Sequence, residues 1–551
     1  MHISEKTDKI RLKINGYTSG WVGLLFALIV AGAFVSVTFS ADFLLGTGSY
    51  WRTQVSDVTQ YIAGFNMYFT APWQFPLLAF DALNYPVGTM VTFVDAIPLY
   101  ALILKTFLPA SLAPFNPFGV WVGLCFLLQG VGAWWIAREL ETQSWMFLSA
   151  MLLILLTFPA LMARIGHISL MSHWILLFAM ALYIRSCRKS RLPHWSWSVL
   201  LVGAFYINIY LFVMACGIML AALFGLQRKP AFRDIGGFFL PFAVLSVTAL
   251  FMFLPLPKAE ITREWGFGYY SMNLLSPLSG GKFLIVQAKE APGQYEGFNY
   301  LGLGIIAALP LAWGIKNRLA PHVFRRHRAL LLLMLVYATY ALSNQVFFGS
   351  EQIVVLRYPG FLDPLTSQFR ASGRFFWPVG YCIMVFVLLM LYRGLGKRTF
   401  ALSIALLVVV QMADLEDRYT IMRKTAQKSG DKPLDTSIWD GALNDRVRNI
   451  YFYPKFKCGE NPHETLLPIM RYASERGLRL NTGYIARYTP DCNDAVREIS
   501  SSEPSTSAYV FVRSEYPDLS DVKALFPQSM NMECTEVQFA HVCQSTSEDV
   551  Y

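Results

Sequence analysis

The chain has 551 residues, 55% of them hydrophobic and only 15% charged, with a net charge of +10. Soluble domains carry about a quarter charged residues, so this composition excludes an ordinary soluble fold. The basic residues gather in short stretches between apolar runs, which reports membrane topology and gives no sign of a nucleic-acid partner.

Residues 1–20 carry Lys6, Lys9, Arg11 and Lys13, which predicts a cytoplasmic N-terminus. The apolar run near 20–40 follows this tail without a small-residue cleavage site and is read as an uncleaved first helix. Residues 41–90 then form a first outside segment. Within it, "QYIAGFNMYFTAPWQFPLLAF" (60–80) is rich in aromatics and interrupted by Pro72 and Pro76. Short helices along the outer membrane surface are expected there. They would hold Asp57 at headgroup level. "NYPVGTMVTFVDAIPL" (84–99) then enters the bilayer, with Asp95 inside an apolar run. An ionisable group at such depth is a candidate functional residue.

Further apolar runs fall near 91–108, 119–137, 146–162 and 167–184. Between the last two, "ARIGHISLMSHW" (163–174) holds Arg164, His167 and His173. The two histidines are six apart, on different helical faces, which is poor spacing for a shared metal. His167 is a candidate substrate contact, with a hydrogen-bonded structural histidine as the alternative. Residues 196–226 read as two short crossings with a turn near 208–210. Spans near 236–254, 301–315, 329–346, 378–392 and 399–413 alternate between basic loops such as "RSCRKSR" (185–191) and "KNRLAPHVFRRHR" (316–328). Both ends of the first region should be cytoplasmic, so either one of its five runs does not cross or 61–80 crosses as well, giving 11 or 13 crossings.

This topology leaves 255–300 and 347–377 outside. "EITREWGFGYYSMNLLSP" (260–277) and "QYEGFNYLGLG" (294–304) offer Glu264 and Glu296 for sugar hydroxyls, with Trp265 and Tyr269 as stacking faces. A surface loop without ligand is the alternative. "SQFRASGRFFWP" (367–378) places Arg370 and Arg374 four apart, on one face if helical. Two guanidiniums suit a phosphate or diphosphate; anchoring to anionic lipid heads is the alternative. From about 414 the chain turns mixed, with strand-like "NIYFY" (449–453) and "AYVFV" (508–512). Half of its eight cysteines lie there: Cys458, Cys492, Cys534 and Cys543. One or two disulfides are expected outside the membrane, with three pairings open. No phosphate loop, His/Cys metal motif or Ser-His-Asp order is present.

Taken together, "SDVTQYIAGFNMYFTAPWQFP", "NYPVGTMVTFVDAIPLYALILK", "FGVWVGLCFLLQG", "RIGHISLMSHWILL", "EGFNYLGLG" and "FRASGRFFWP" resemble an uncharacterised bacterial family similar to the GT-C glycosyltransferases. The pieces cover most of residues 50–380. The resemblance implies an all-α polytopic membrane domain (1–413) followed by a small extracytoplasmic α/β domain (414–551). It implies transfer of a sugar from a polyprenyl-phosphate donor to an envelope acceptor, with inversion, at a bacterial inner membrane. Asp57 matches the acid of the first outside loop, which acts as general base or orients the acceptor, although the paired acid of many members is missing. Arg374, with Arg370, matches the residues that hold the lipid phosphate. Asp95, His167, Glu264 and Glu296 complete the expected substrate contacts. Membrane lipid and the lipid-linked sugar are the expected partners. No cofactor is called for; a divalent metal is left open, as is the oligomeric state. A transporter or flippase of a lipid-linked or anionic substrate, or a non-catalytic envelope assembly protein, are the competing readings.

Overall fold

A computed structural model describes Thr18 and residues 20–53, 56–255, 264–283, 286, 291–430 and 432–546. Lys6, Lys9, Arg11 and Lys13 of the basic tail lie outside the described residues. Among the described residues, six helices are long and apolar enough to cross a membrane: Trp21–Thr38, Phe118–Glu139, Trp145–Met162, Ile168–Lys189, Phe232–Met252 and Ser372–Gly394. A seventh is reached if Lys397–Asp414 and Glu416–Ala426, bent by 51°, form one span. The chain is a multi-pass membrane protein. The shorter apolar helices His194–Ile207 and Ile209–Phe224 meet at Asn208, where the turn was expected. The Asn208 backbone is extended, and its carboxamide oxygen accepts from the amides of Tyr210 and Leu211, starting the second helix.

The chain separates into two compact units. The first comprises Met1–Leu44, Val120–Leu245 and Arg263–Gln427 and is almost wholly helical. In it, helix Leu303–Leu319 packs against Trp377–Gly394 and Lys397–Asp414, and Trp174–Lys189 against Ile209–Phe224. The fully buried Asp414 ties Phe283 and Tyr300 to these helices. Its carboxylate accepts from Tyr300 Oη at 2.7 Å and from the amides of Phe283 and Leu303 at 3.1 Å each. A buried carboxylate needs such donors to offset its desolvation.

The second unit comprises Leu45–Gly119, Ser246–Thr262 and Lys428–Tyr551. It is built on a five-stranded sheet in the spatial order Arg479–Leu480, Asn449–Tyr453, Ser507–Val512, Ala540–Ser545 and Met532–Val537. The first three strands are parallel and the last two join antiparallel. Every residue of "NIYFY" and of "SAYVFV" is buried, as in strands covered on both faces. Tyr451 stacks on Tyr509 and Tyr453 on Phe511 across the central pair. The four cysteines pair as Cys458–Cys492 and Cys534–Cys543, the latter directly opposite each other on adjacent strands.

The first outside segment does not form helices along the membrane surface. Helix Asp57–Thr70 is buried at every residue from Val58 to Phe69 and packs on helix Leu466–Arg476. A surface helix would keep one face open to lipid or water. Here Tyr61, Phe65, Tyr68 and Phe69 are core residues instead. Gln60 Nε2 donates to the Tyr484 carbonyl at 2.7 Å. Residues 82–85 bond to the outer edge of the sheet through the Leu480 amide and carbonyl, which covers an otherwise open edge. The run near 91–108 yields a helix of 10 residues, Pro98–Phe107, roughly 15 Å long and half the hydrocarbon thickness.

Candidate functional site

Several polar residues of the first unit meet around Glu296. Glu296 sits in a single 3-10 turn, Gln294–Gly297, and Arg374 in another, Ser372–Phe376. Two glycines let these turns touch: a side chain on Gly373 would lie 2.4 Å from the Gly297 Cα. Asn299 clamps the pair, its Nδ2 donating to the carbonyls of Gly297 at 3.0 Å and Gly373 at 2.9 Å. Arg164 and His167 enter from the short connection between Pro159–Met162 and Ile168–Met171.

Arg164 Nη1 lies 2.5 Å from Glu296 Oε2, and Arg374 Nε lies 3.0 Å from the same oxygen. His167 Nε2 lies 3.2 Å from Oε1. Arg164 Nη2 also donates to the Tyr295 carbonyl at 3.0 Å. Burial by itself would push the Glu296 pKa up, but the guanidiniums of Arg374 and Arg164 outweigh it and hold the carboxyl well below its usual range. Glu296 is therefore a charged anchor for two arginines. Arg164 lies against the Trp377 ring and Arg374 over the Tyr210 ring, at 5.7 and 4.8 Å from the centroids.

Arg370 is placed differently. It falls in the break between helix Asp363–Gln368 and the turn Ser372–Phe376, so the shared helical face expected for Arg370 and Arg374 does not form. Its Nη1 donates to the Trp265 carbonyl at 2.9 Å and lies 3.9 Å from Glu264. The guanidinium lies 5.4 Å from the Tyr270 ring centroid and is a third exposed. Arg164, Arg374 and Arg370 outnumber Glu296 and Glu264 by one formal charge. Such a group can receive an oxyanion.

The remaining candidates, Asp57 and Asp95, belong to the second unit. Asp57 is half-buried and opens the helix Asp57–Thr70, after Ser56 at the N-cap. Asp95 was expected inside a membrane-buried run. It is instead exposed, at a left-handed backbone position (φ 55°) that ends the turn Val91–Val94. Arg164 had no assigned role from sequence; its signal was an arginine bracketed by apolar runs. The aromatic walls Tyr210, Tyr270 and Trp377 left no such signal. Among the described residues, no three His, Cys, Asp or Glu side chains are grouped to hold a metal.

Comparison with known proteins adds two findings. Residues 27–416 match a family model described as a domain of unknown function, and 438–545 match the model of that family's C-terminal domain. A cryo-EM structure of the arabinofuranosyltransferase AftD from mycobacteria superposes with a TM-score of 0.52 at 13% identity, over 95% of this chain. The chain spans 40% of that chain's length. The GT-C-like fold expected from sequence is thus present. Curated proteins give no match.

Proposed function

This chain belongs to the DUF6311 family, and we propose that it is a GT-C-type glycosyltransferase. It moves a sugar from a polyprenyl-phosphate donor to an envelope acceptor, on the outer face of a bacterial inner membrane. The N-terminus is then cytoplasmic, the C-terminal domain periplasmic, and the crossings number 11 or 13. The observation that carries this reading is the arginine group of the first unit, in a chain otherwise poor in charge: Arg164 and Arg374 locked on Glu296, with Arg370 partly open beside Tyr270.

In this mechanism Asp57 takes the proton of the acceptor hydroxyl as its oxygen attacks the anomeric carbon. The bond from that carbon to the lipid phosphate breaks, and direct displacement inverts the configuration. The leaving group is a phosphate anion, and Arg370 stabilises its growing charge through bidentate hydrogen bonds. Arg374 is held in orientation by Glu296, and Arg164 shares that carboxylate. His167, Glu264 and Asp95 are proposed contacts to the sugar and acceptor.

The test uses the full chain in lipid vesicles with a panel of polyprenyl-phosphate sugars. Transfer should vanish in Asp57→Asn with donor binding retained, and Arg370→Ala should raise the donor KM. Donor movement across the bilayer without transfer would replace this reading with a carrier. No donor binding across the panel would replace it with a non-catalytic assembly role.

A further inference from the structure

The second unit contains a cavity of about 220 Å³ bordered by Arg52, Lys432, Arg471 and Arg476, with one acid, Glu475. Its floor includes the buried ring of Tyr472, and Leu434 and Pro468 supply apolar surface. Two of the four cations are already committed. Arg471 pairs with Glu475 at 2.5 Å and donates to the Trp51 carbonyl. Arg476 grips both oxygens of Asp440, at 2.9 and 2.6 Å, and Tyr472 Oη donates to the same carboxylate. Arg52 and Lys432 are exposed, and neither has an ion pair among the described residues. Two cations beside a concave, partly apolar wall raise the local potential for anions.

We propose that this cavity is an anion-binding site for a phosphate or carboxylate group, with Arg52 and Lys432 as its primary contacts. The Tyr472 ring is buried, with the Arg476 guanidinium 5.3 Å from its centroid, and braces one wall of the cavity. Arg471 and Arg476, pinned by their carboxylates, give the cavity fixed walls. The proposal does not depend on the glycosyltransferase reading, since it involves none of the residues assigned to it.

The test is calorimetric titration of the full chain in nanodiscs of phosphatidylcholine, which contributes no net charge. The probes are glucose 6-phosphate, glucuronate, glycerol 1-phosphate and neutral glucose. The three anions should bind saturably and glucose should not. Arg52→Ala/Lys432→Ala should lower anion affinity by about tenfold or more, the scale of a charged hydrogen bond. Arg497→Ala, an exposed arginine outside the cavity, should leave it unchanged. Both double-variant positions are exposed, so folding should survive; circular dichroism checks this. Tighter binding of glycerol 1-phosphate would assign a lipid headgroup as source, and tighter binding of the sugar acids a saccharide; either supports the anion site. Equal binding of glucose, or anion binding retained in the double variant, would overturn it.

Discussion

Arg164 and Glu296 form an ion pair in which both side chains are at most 5% exposed, with Nη1 and Oε2 2.5 Å apart. They come from segments 132 residues apart in sequence. Glu296 is also the partner of Arg374. Removing the carboxylate therefore leaves the buried Arg164 and the partly buried Arg374 without their shared counter-charge. Glu296→Gln should destabilise the protein by about 3–5 kcal/mol, the cost of an uncompensated buried charge. A fluorescence-detected melt in detergent would read this as a clear fall in Tm. A variant as stable as the parent would mean that Glu296 is not the counter-charge of this group.

The same pair sets a pH dependence. The Glu296 carboxyl lies well below its usual value, because Arg374 and Arg164 overcome the effect of burial. Its contribution is thus fully present above the unfolded pKa of about 4.3 and is lost as pH falls through the lower folded value. Thermal stability should be insensitive to this carboxylate between about pH 5 and 8 and decline in stronger acid. In Glu296→Gln that part of the acid decline should be absent. Melts across pH in the two proteins would compare the slopes.

Gly373 and Gly297 let the two turns that hold Arg374 and Glu296 approach within backbone contact. A methyl at Gly373 would fall 2.4 Å from the Gly297 Cα, with no flexible side chain able to yield. Gly373→Ala should cost about 1–3 kcal/mol by overpacking. It should also separate Arg374 from Glu296. We expect loss of donor affinity beyond the loss of stability, measured as binding at a temperature where the variant remains folded.

Cys458 and Cys492 are 34 residues apart and Cys534 and Cys543 are nine apart. On loop-closure entropy, the first should stabilise by about 4 kcal/mol and the second by about 3. Cys458→Ser/Cys492→Ser should therefore lower the stability of the second unit more than Cys534→Ser/Cys543→Ser. Proteolysis of the C-terminal region after each substitution would rank them.

Much of the helical architecture was legible in the chain. Runs of apolar residues near 20–40, 119–137, 146–162 and 167–184 become long apolar helices, because only a helix satisfies its backbone internally in lipid. The break at Asn208 was readable from flanking basic clusters and length. The strands "NIYFY" and "AYVFV" were readable from local composition. What misled was the aromatic stretch 60–80. Its residues suit a membrane interface and a protein core equally well, since both bury a ring and accommodate a polar tip. Its neighbours decide, and those include helix Leu466–Arg476, some 400 residues later. Asp95 was misjudged for a related reason: hydropathy averages over a window and does not register a turn that points one residue outward.

The sequence by itself determined the class of this protein, its division into apolar helices and polar segments between them, and the chemical types available to a site. Those follow from composition and spacing, which act locally through solvation and backbone hydrogen bonding. Only the tertiary structure decided that Arg164, His167 and Arg374 share the Glu296 carboxylate, that Arg370 stands apart between two helical segments, and that Cys458 pairs with Cys492. Each of these depends on side chains far apart in sequence meeting within a few ångströms. Their energies are pairwise and distance-dependent, so no window of the chain contains them.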